Sequence, residues 1–219
     1  MSIVFVLVPV LGFAQQYHVE IVPTAGFRWG GDIRIEERAF KFQNFNTSIS
    51  SGGSYGLRLD IPLGTAVALE LLADQQRTSF QDDQGLFGEV PGGFIKAGDS
   101  HALDIDVAYY HAGLLFDLAQ GPTRGYLVAT AGITQINPQL PLPNDTRFSA
   151  GVGAGIKLDL TDRLGFRFEG RYYWTKTDAG KGATYSFANP DCQAPCSYTF
   201  KYRDSLDQFA ATVGLAIRF

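Results

Sequence analysis

Residues 164–175 read LGFRFEGRYYWT. Phe166, Phe168, Tyr172 and Trp174 fall on one side of an extended chain, and Arg167, Glu169 and Arg171 on the other. Strict period-two alternation marks a strand with two unlike faces. Which face meets which medium is a matter of magnitude. An Arg or Lys facing hydrocarbon at the middle of a bilayer costs about 2–4 kcal/mol, and an acid somewhat less. Three such residues would consume a large part of a domain's margin of roughly 5–15 kcal/mol. In lipid, this strand turns its rings outward and its ions inward. A soluble barrel does the reverse. Alternation alone fits both, so the rest of the chain has to decide.

The pattern recurs on either side. A first run, 17–30, sets Val19, Ile21, Ala25, Phe27 and Trp29 against Glu20, Thr24, Gly26 and Arg28. A second, 54–61, sets Tyr55, Leu57, Leu59 and Ile61 against Gly56, Arg58 and Asp60. A third, 65–77, sets Val67, Leu69, Leu71 and Ala73 against Ala68, Glu70 and Asp74. A fourth starts near Ala102, with Leu103, Ile105, Val107 and Tyr109 read as its apolar face against Asp104 and Asp106. A fifth, 125–136, is rich in Ala and Gly, and its phase is ambiguous. The sixth, 147–160, sets Phe148, Ala150, Val152, Ala154, Ile156 and Leu158 against Ser149, Gly151, Gly153, Gly155, Lys157 and Asp159. After the seventh (164–175), the eighth is the closing VGLAIRF, with Val213, Leu215, Ile217 and Phe219 opposite Gly214, Ala216 and Arg218.

The connections come in two kinds. PLG (62–64), AQGP (119–122) and LTDR (160–163) are tight turns, whereas the segments near 31–53, 81–100, 137–146 and 177–206 are long and polar. Long and short alternate, and both chain ends fall on the short side. Eight antiparallel strands with that asymmetry describe an all-β, up-and-down transmembrane barrel. Aromatics near strand ends, Trp29, Tyr55, Tyr172, Trp174 and Phe219, suit a girdle at the membrane–water boundary. The opening MSIVFVLVPVLGFAQQ is too short to span a bilayer as a helix and suits the apolar core of a secretory leader, residues 1–15, with the barrel domain over 16–219. No Lys or Arg precedes that run, which leaves the true start open. The net charge is −4, which offers nothing to a polyanion and argues against nucleic acid as a partner.

Eight strands enclose a lumen that side chains can fill. Arg58, Asp60, Glu70, Lys157, Asp159, Arg167, Glu169 and Arg171 are expected to meet there as a salt-bridge network, because buried charges must be paired. An open ion path is the alternative. Gly151, Gly153 and Gly155 lie on one strand face with no helix after them, so they make room for a bulky neighbour instead of holding a phosphate.

SYGLRLDIPLG, AVALELLADQQ, HALDIDVAYYHAGLLF, RFSAGVGAGIKLDLTDRLGFRFEGR and the final VGLAIRF together resemble the small eight-stranded outer-membrane barrels of the OmpA/OmpX-like class. The likeness covers nearly all of 17–219. It implies a bacterial outer-membrane location, surrounding outer-membrane lipid, and the barrel assembly machinery as a partner in biogenesis. In this class a terminal aromatic such as Phe219 resembles the assembly signal. The resemblance is specific for architecture and poor for function. No appended peptidoglycan-binding domain is expected after Phe219.

Other chemistry is thin. Cys192 and Cys196, in CQAPC, are read as a local disulfide in the last long loop, since a metal site wants more ligands. No metal or other cofactor is expected. Resemblance to the lipid A deacylases would require His and Ser two apart on one strand face. His18, His101 and His111 are followed at that spacing by Glu20, Leu103 and Gly113, so no enzyme is expected. Alternation from Tyr109 would aim His111 at lipid, and a bulge near Tyr109–Tyr110 would turn it inward. The first long loop carries Phe40, Phe42 and Phe45, a surface for an extracellular ligand or a packing over the barrel mouth. Its Ile33 and Ile35 suggest that the first strand pair continues beyond the membrane. The expected role is structural and surface-interacting, for a monomer. A narrow passive pore is the runner-up, ahead of a lipid-modifying enzyme.

Overall fold

The computed structural model describes residues 18–37, 43–81, 102–119, 121–138, 144–176, 182–187, 196–203 and 205–219. Twelve strands occur among them: β1 (Glu20–Trp29), β2 (Asp32–Glu37), β3 (Gln43–Ile49), β4 (Gly52–Pro62), β5 (Val67–Gln81), β6 (Ala102–Asp117), β7 (Thr123–Pro138), β8 (Asp145–Asp159), β9 (Leu164–Thr175), β10 (Gly182–Phe187), β11 (Cys196–Arg203) and β12 (Leu206–Arg218). Eight of them run β5-β4-β1-β12-β9-β8-β7-β6, and β6 returns to pair with β5. All these pairings are antiparallel, so the sheet closes into a barrel without a free edge. Closure lets neighbouring strands satisfy one another's backbone N–H and C=O groups, which is what a sheet in hydrocarbon needs.

The two ends differ. At one end the strands are joined by the tight connections 63–66, 118–122 and 160–163. Leu63 N–H and Leu160 N–H bond across them to the carbonyls of Val67 (2.8 Å) and Leu164 (2.9 Å). Gly121 sits at φ 127°, a conformation that favours glycine. The first and last barrel strands also meet here, where Phe219 N–H donates to the Val19 carbonyl at 3.1 Å. At the other end, β2 and β3 pair as a hairpin that prolongs β1 and β4. A Cβ on Gly30 would lie 1.5 Å from the Ile49 carbonyl oxygen, so only glycine fits at this bend. β11 adds to β2, and β10 to β11, so the first and last long connections share one sheet.

The faces sort as the seventh run requires. On β9, Arg167, Glu169, Arg171 and Tyr173 are buried, while Phe166, Phe168, Tyr172 and Trp174 are exposed. Phe27, Tyr55, Leu57, Leu71, Val152, Ile156, Val213 and Leu215 point outward from other strands.

Two readings need amendment. The upper part of β6 faces the opposite way from expectation: Ile105, Val107 and Tyr109 are 1%, 0% and 0% exposed. They point into the barrel, and Asp104 and Asp106 point away from it. The cause is an apolar layer that crosses the lumen at this end, described below. His111 follows the same phase and faces inward with no bulge, since β6 pairs in unbroken register with β5 and β7 on both sides. The ambiguous phase of the fifth run is also settled. Tyr126, Val128, Thr130, Thr134 and Ile136 of β7 face inward. The leader (1–15), His101, the loop phenylalanines Phe40 and Phe42, and Cys192 lie outside the described residues; Cys196 opens β11.

Candidate functional site

The lumen is built in three levels. At the short-turn end, Lys157 Nζ lies 2.8 Å from Glu20 Oε2 and 3.2 Å from Asp60 Oδ2. Arg218 reaches Glu20 Oε1 at 2.6 Å and also pairs with Asp159. Arg124 stands 3.5 Å from both Glu20 and Asp159. These groups line a cup of about 860 Å³ that opens at this end.

Above the cup, Arg167 ties four strands together. Nη1 meets Asp60 of β4 at 2.9 Å; Nη2 meets Glu70 of β5 at 2.5 Å and Glu169 of β9 at 2.7 Å. Nε donates to the Tyr126 hydroxyl of β7 at 2.7 Å, which in turn donates to Glu169 at 2.7 Å. Arg171 bonds Glu169 and Glu70, each at 2.7 Å, and Arg58 bonds Glu169 at 3.0 Å. Charge-assisted bonds of this kind are the strong ones. Gly155 makes room for the tyrosine: a Cβ there would sit 2.3 Å from the Tyr126 oxygen.

The third level closes the long-loop end. Arg28 pairs with Asp74 and lies 4.6 Å from the centre of the Tyr109 ring. Tyr109 stacks on Tyr173 at 4.3 Å and donates to Gln208 at 2.8 Å. His111 places Nδ1 3.0 Å from Thr130 Oγ1 and Nε2 2.7 Å from Ser149 Oγ, both in the interior. Above them, Ile49, Ile105, Val107, Ile136 and Leu206 pack with the two tyrosines as one apolar cluster.

Of the residues singled out from the sequence, Arg58, Asp60, Glu70, Lys157, Arg167, Glu169 and Arg171 are buried and in mutual contact. Asp159 stands at the rim of the cup with its side chain 20% exposed. The network also takes in Glu20, Arg28, Asp74, Arg218 and Tyr126, which sequence reasoning did not include. The first four already stood on the polar faces of their runs. Tyr126 gave no signal, because its strand had no readable phase. Trp29, Tyr55, Tyr172 and Trp174 face outward toward the long-loop end of their strands. Trp29 packs between Phe27 (5.3 Å) and Phe209 (5.4 Å), and the Tyr172 hydroxyl donates to Asp207 at 2.8 Å. Phe219 is 71% exposed at the opposite end, with His18 Nδ1 3.0 Å from its carbonyl oxygen.

Residues 5–219 match the family model described as outer membrane protein beta-barrel domain. No curated protein is significantly similar in sequence. Among solved structures, the outer membrane protein OprG of Pseudomonas aeruginosa is similar with a TM-score of 0.59 at 10% identity, over 93% of this chain and 98% of that one. The outer membrane protein AlkL matches with a TM-score of 0.52 at 12% identity, over 98% and 97%. Neisserial surface protein A matches with a TM-score of 0.51 at 11% identity, over 92% and 97%. At such identities the likeness speaks for the fold alone.

Proposed function

The chain belongs to the family of outer membrane protein β-barrel domains, and from that premise we propose that it is a closed pedestal in the bacterial outer membrane whose outer hairpins do the interacting. The observation that carries this reading is the double obstruction of the lumen. The Arg167 knot spans the middle, and the apolar layer of Ile49, Ile105, Val107, Ile136 and Leu206 seals the outer mouth. A hydrated ion would have to break buried ion pairs and then cross a dry constriction, and each step costs several kcal/mol.

Interaction then falls to the outside, where β10, β11, β2 and β3 form a sheet continuous with the barrel wall. Extracellular ligands would meet that sheet. Lipid would meet the apolar belt, with Trp29, Tyr55, Tyr172 and Trp174 at its outer boundary. Phe219, at the inner rim, is the element offered to the assembly machinery, after removal of the leader 1–15. The protein works as a monomer and without a cofactor. Cys192 and Cys196 staple the last loop. It is not an enzyme: the His111–Ser149 contact lies in the sealed interior, away from any lipid ester.

Planar-bilayer recording tests the reading. A plugged barrel gives no steady conductance in 1 M salt. Discrete, reproducible single-channel steps would reject it in favour of a narrow solute pore, the reading that the open inner cup favours.

A further inference from the structure

The three tight turns at the inner end differ in length and sequence, yet each begins with the same residue. Leu63, Leu118 and Leu160 directly follow the last residues of β4, β6 and β8. Each closes its turn through its backbone. Their N–H groups donate to the carbonyls of Val67 (2.8 Å), Gly125 (2.8 Å) and Leu164 (2.9 Å). A backbone bond of this kind asks for no particular side chain. Beyond it the turns share nothing: Gly64-Thr65-Ala66, Ala119 to Pro122, and Thr161-Asp162-Arg163. Turns favour Gly, Pro, Asn, Asp and Ser, so turn chemistry does not account for a leucine three times over.

Little of the protein covers these side chains. They are 62%, 64% and 60% exposed, more than any large apolar residue on a strand among the described residues, of which Val152 at 58% is the highest. They also continue the outward face. The residues before them, Pro62, Asp117 and Asp159, line the cup. By alternation the leucines take the other side, in sequence with Ile61, Phe116 and Leu158. Leu160 touches the lip of the cup as well.

The height of the rim agrees. Leu160 shares the level of Leu164, to which it is bonded. From Leu164 to Trp174, at opposite ends of β9, a rise of about 3.3 Å per residue and a tilt of roughly 35–45° give about 25 Å along the barrel axis. An outer-membrane barrel carries an apolar band of about that height.

We propose that Leu63, Leu118 and Leu160 form an inner anchor ring that enters the acyl region of the inner phospholipid leaflet and fixes the depth of the barrel. Continuity names the occupant, because the ring prolongs a surface that already faces lipid. The outer boundary is marked by aromatic rings with a wet polar edge. The inner one is aliphatic, with no polar atom to hold at the headgroups, so burial in hydrocarbon draws it further in. The cup consequently opens at headgroup level. The ring acts in this way whether or not the lumen conducts.

Methyl NMR on the whole chain in phospholipid nanodiscs tests the ring. Leucine methyls are isotope-labelled, and the three signals are assigned by Leu63→Met, Leu118→Met and Leu160→Met in turn. A lipid with a nitroxide near the top of its acyl chain should broaden these signals at least as strongly as that of the wall residue Leu127. A soluble gadolinium chelate should leave them sharp. Broadening by the chelate and none by the lipid, the pattern of a surface left in water for a protein partner, overturns the proposal. Stability supplies a second readout. In phospholipid vesicles, Leu63→Ser, Leu118→Ser and Leu160→Ser should each lower the ratio of folded to unfolded protein about tenfold, the worth of returning the exposed part of a leucine to water. Ala119→Ser, in the second turn, should leave that ratio unchanged. Leucine variants as stable as wild type in vesicles also overturn the proposal.

Discussion

Replacing Arg167 with Met tests whether the lumen network holds the barrel together or merely fills it. The side chain is wholly buried and makes contacts of 2.5–2.9 Å with Asp60, Glu70, Glu169 and Tyr126. Removing one partner of a buried ion pair costs about 3–5 kcal/mol, because the other charge stays behind uncompensated. Three carboxylates lose a partner here, yet the loss does not triple. Asp60 keeps Lys157, Glu70 keeps Arg171, and Glu169 keeps Arg58 and Arg171. The expected destabilisation is therefore about 3–5 kcal/mol. Arg77→Ala is the control. Arg77 is 76% exposed and stands 3.7 Å from Asp106, a geometry worth about 0–1 kcal/mol. Urea unfolding in detergent micelles, followed by tryptophan fluorescence and by the mobility of unboiled samples on gels, measures both. Adding Glu70→Gln to Arg167→Met should cost less than the sum of the two single changes, since it removes one stranded charge. An Arg167→Met protein within 1 kcal/mol of wild type, or one no worse than Arg77→Ala, would refute the view that these pairs brace the fold.

Gly155→Val forces a methyl-bearing carbon to within 2.3 Å of the Tyr126 oxygen and 2.4 Å of the Phe168 carbonyl. It should abolish the folded band on unboiled gels, whereas Gly64→Ala, with open space around it, should leave that band unchanged. Val152→Arg puts a cation on the outward face of β8 and should cost about 2–4 kcal/mol in lipid vesicles; if it stabilises the protein in water without detergent, the inside-out polarity is wrong. Phe219→Ala should lower the amount of folded barrel delivered to the membrane in cells, while the purified protein refolds with nearly unchanged urea stability. A large loss of stability with normal delivery would make Phe219 a packing residue instead.

The barrel was legible wherever charge and rings alternated over a whole strand. Arg167, Glu169 and Arg171 against Phe166, Phe168 and Trp174 leave one arrangement in lipid, and neighbouring strands inherit it through register. The misreading on β6 shows the limit of that logic. Alternation gives a period, and the medium on each side gives the sign. At its outer end β6 runs past the charged levels of the lumen, where Ile105 and Val107 face an apolar layer and Asp104 and Asp106 turn away from the barrel. Tyr110, Leu114 and Phe116, exposed lower on the same strand, carried the right phase, and counting upward from them would have placed Tyr109 and His111 inside. On β7, Ala and Gly stand on both faces, so only its register with β6 and β8 fixes Tyr126 opposite Gly155. The partners of Arg28 and Arg58 were beyond any single-strand argument, because they come from strands distant in sequence.

Arg167 touches β4, β5 and β7 from its seat on β9. A hollow tube of this width would flatten under uneven lateral pressure from its lipid neighbours. A strut tied to points around the circumference resists such ovalisation in more than one direction. The cross-section is thereby stiff at mid-depth, and mechanical compliance is left to the hairpins beyond the bilayer, where a change of shape does not disturb the hoop that carries them.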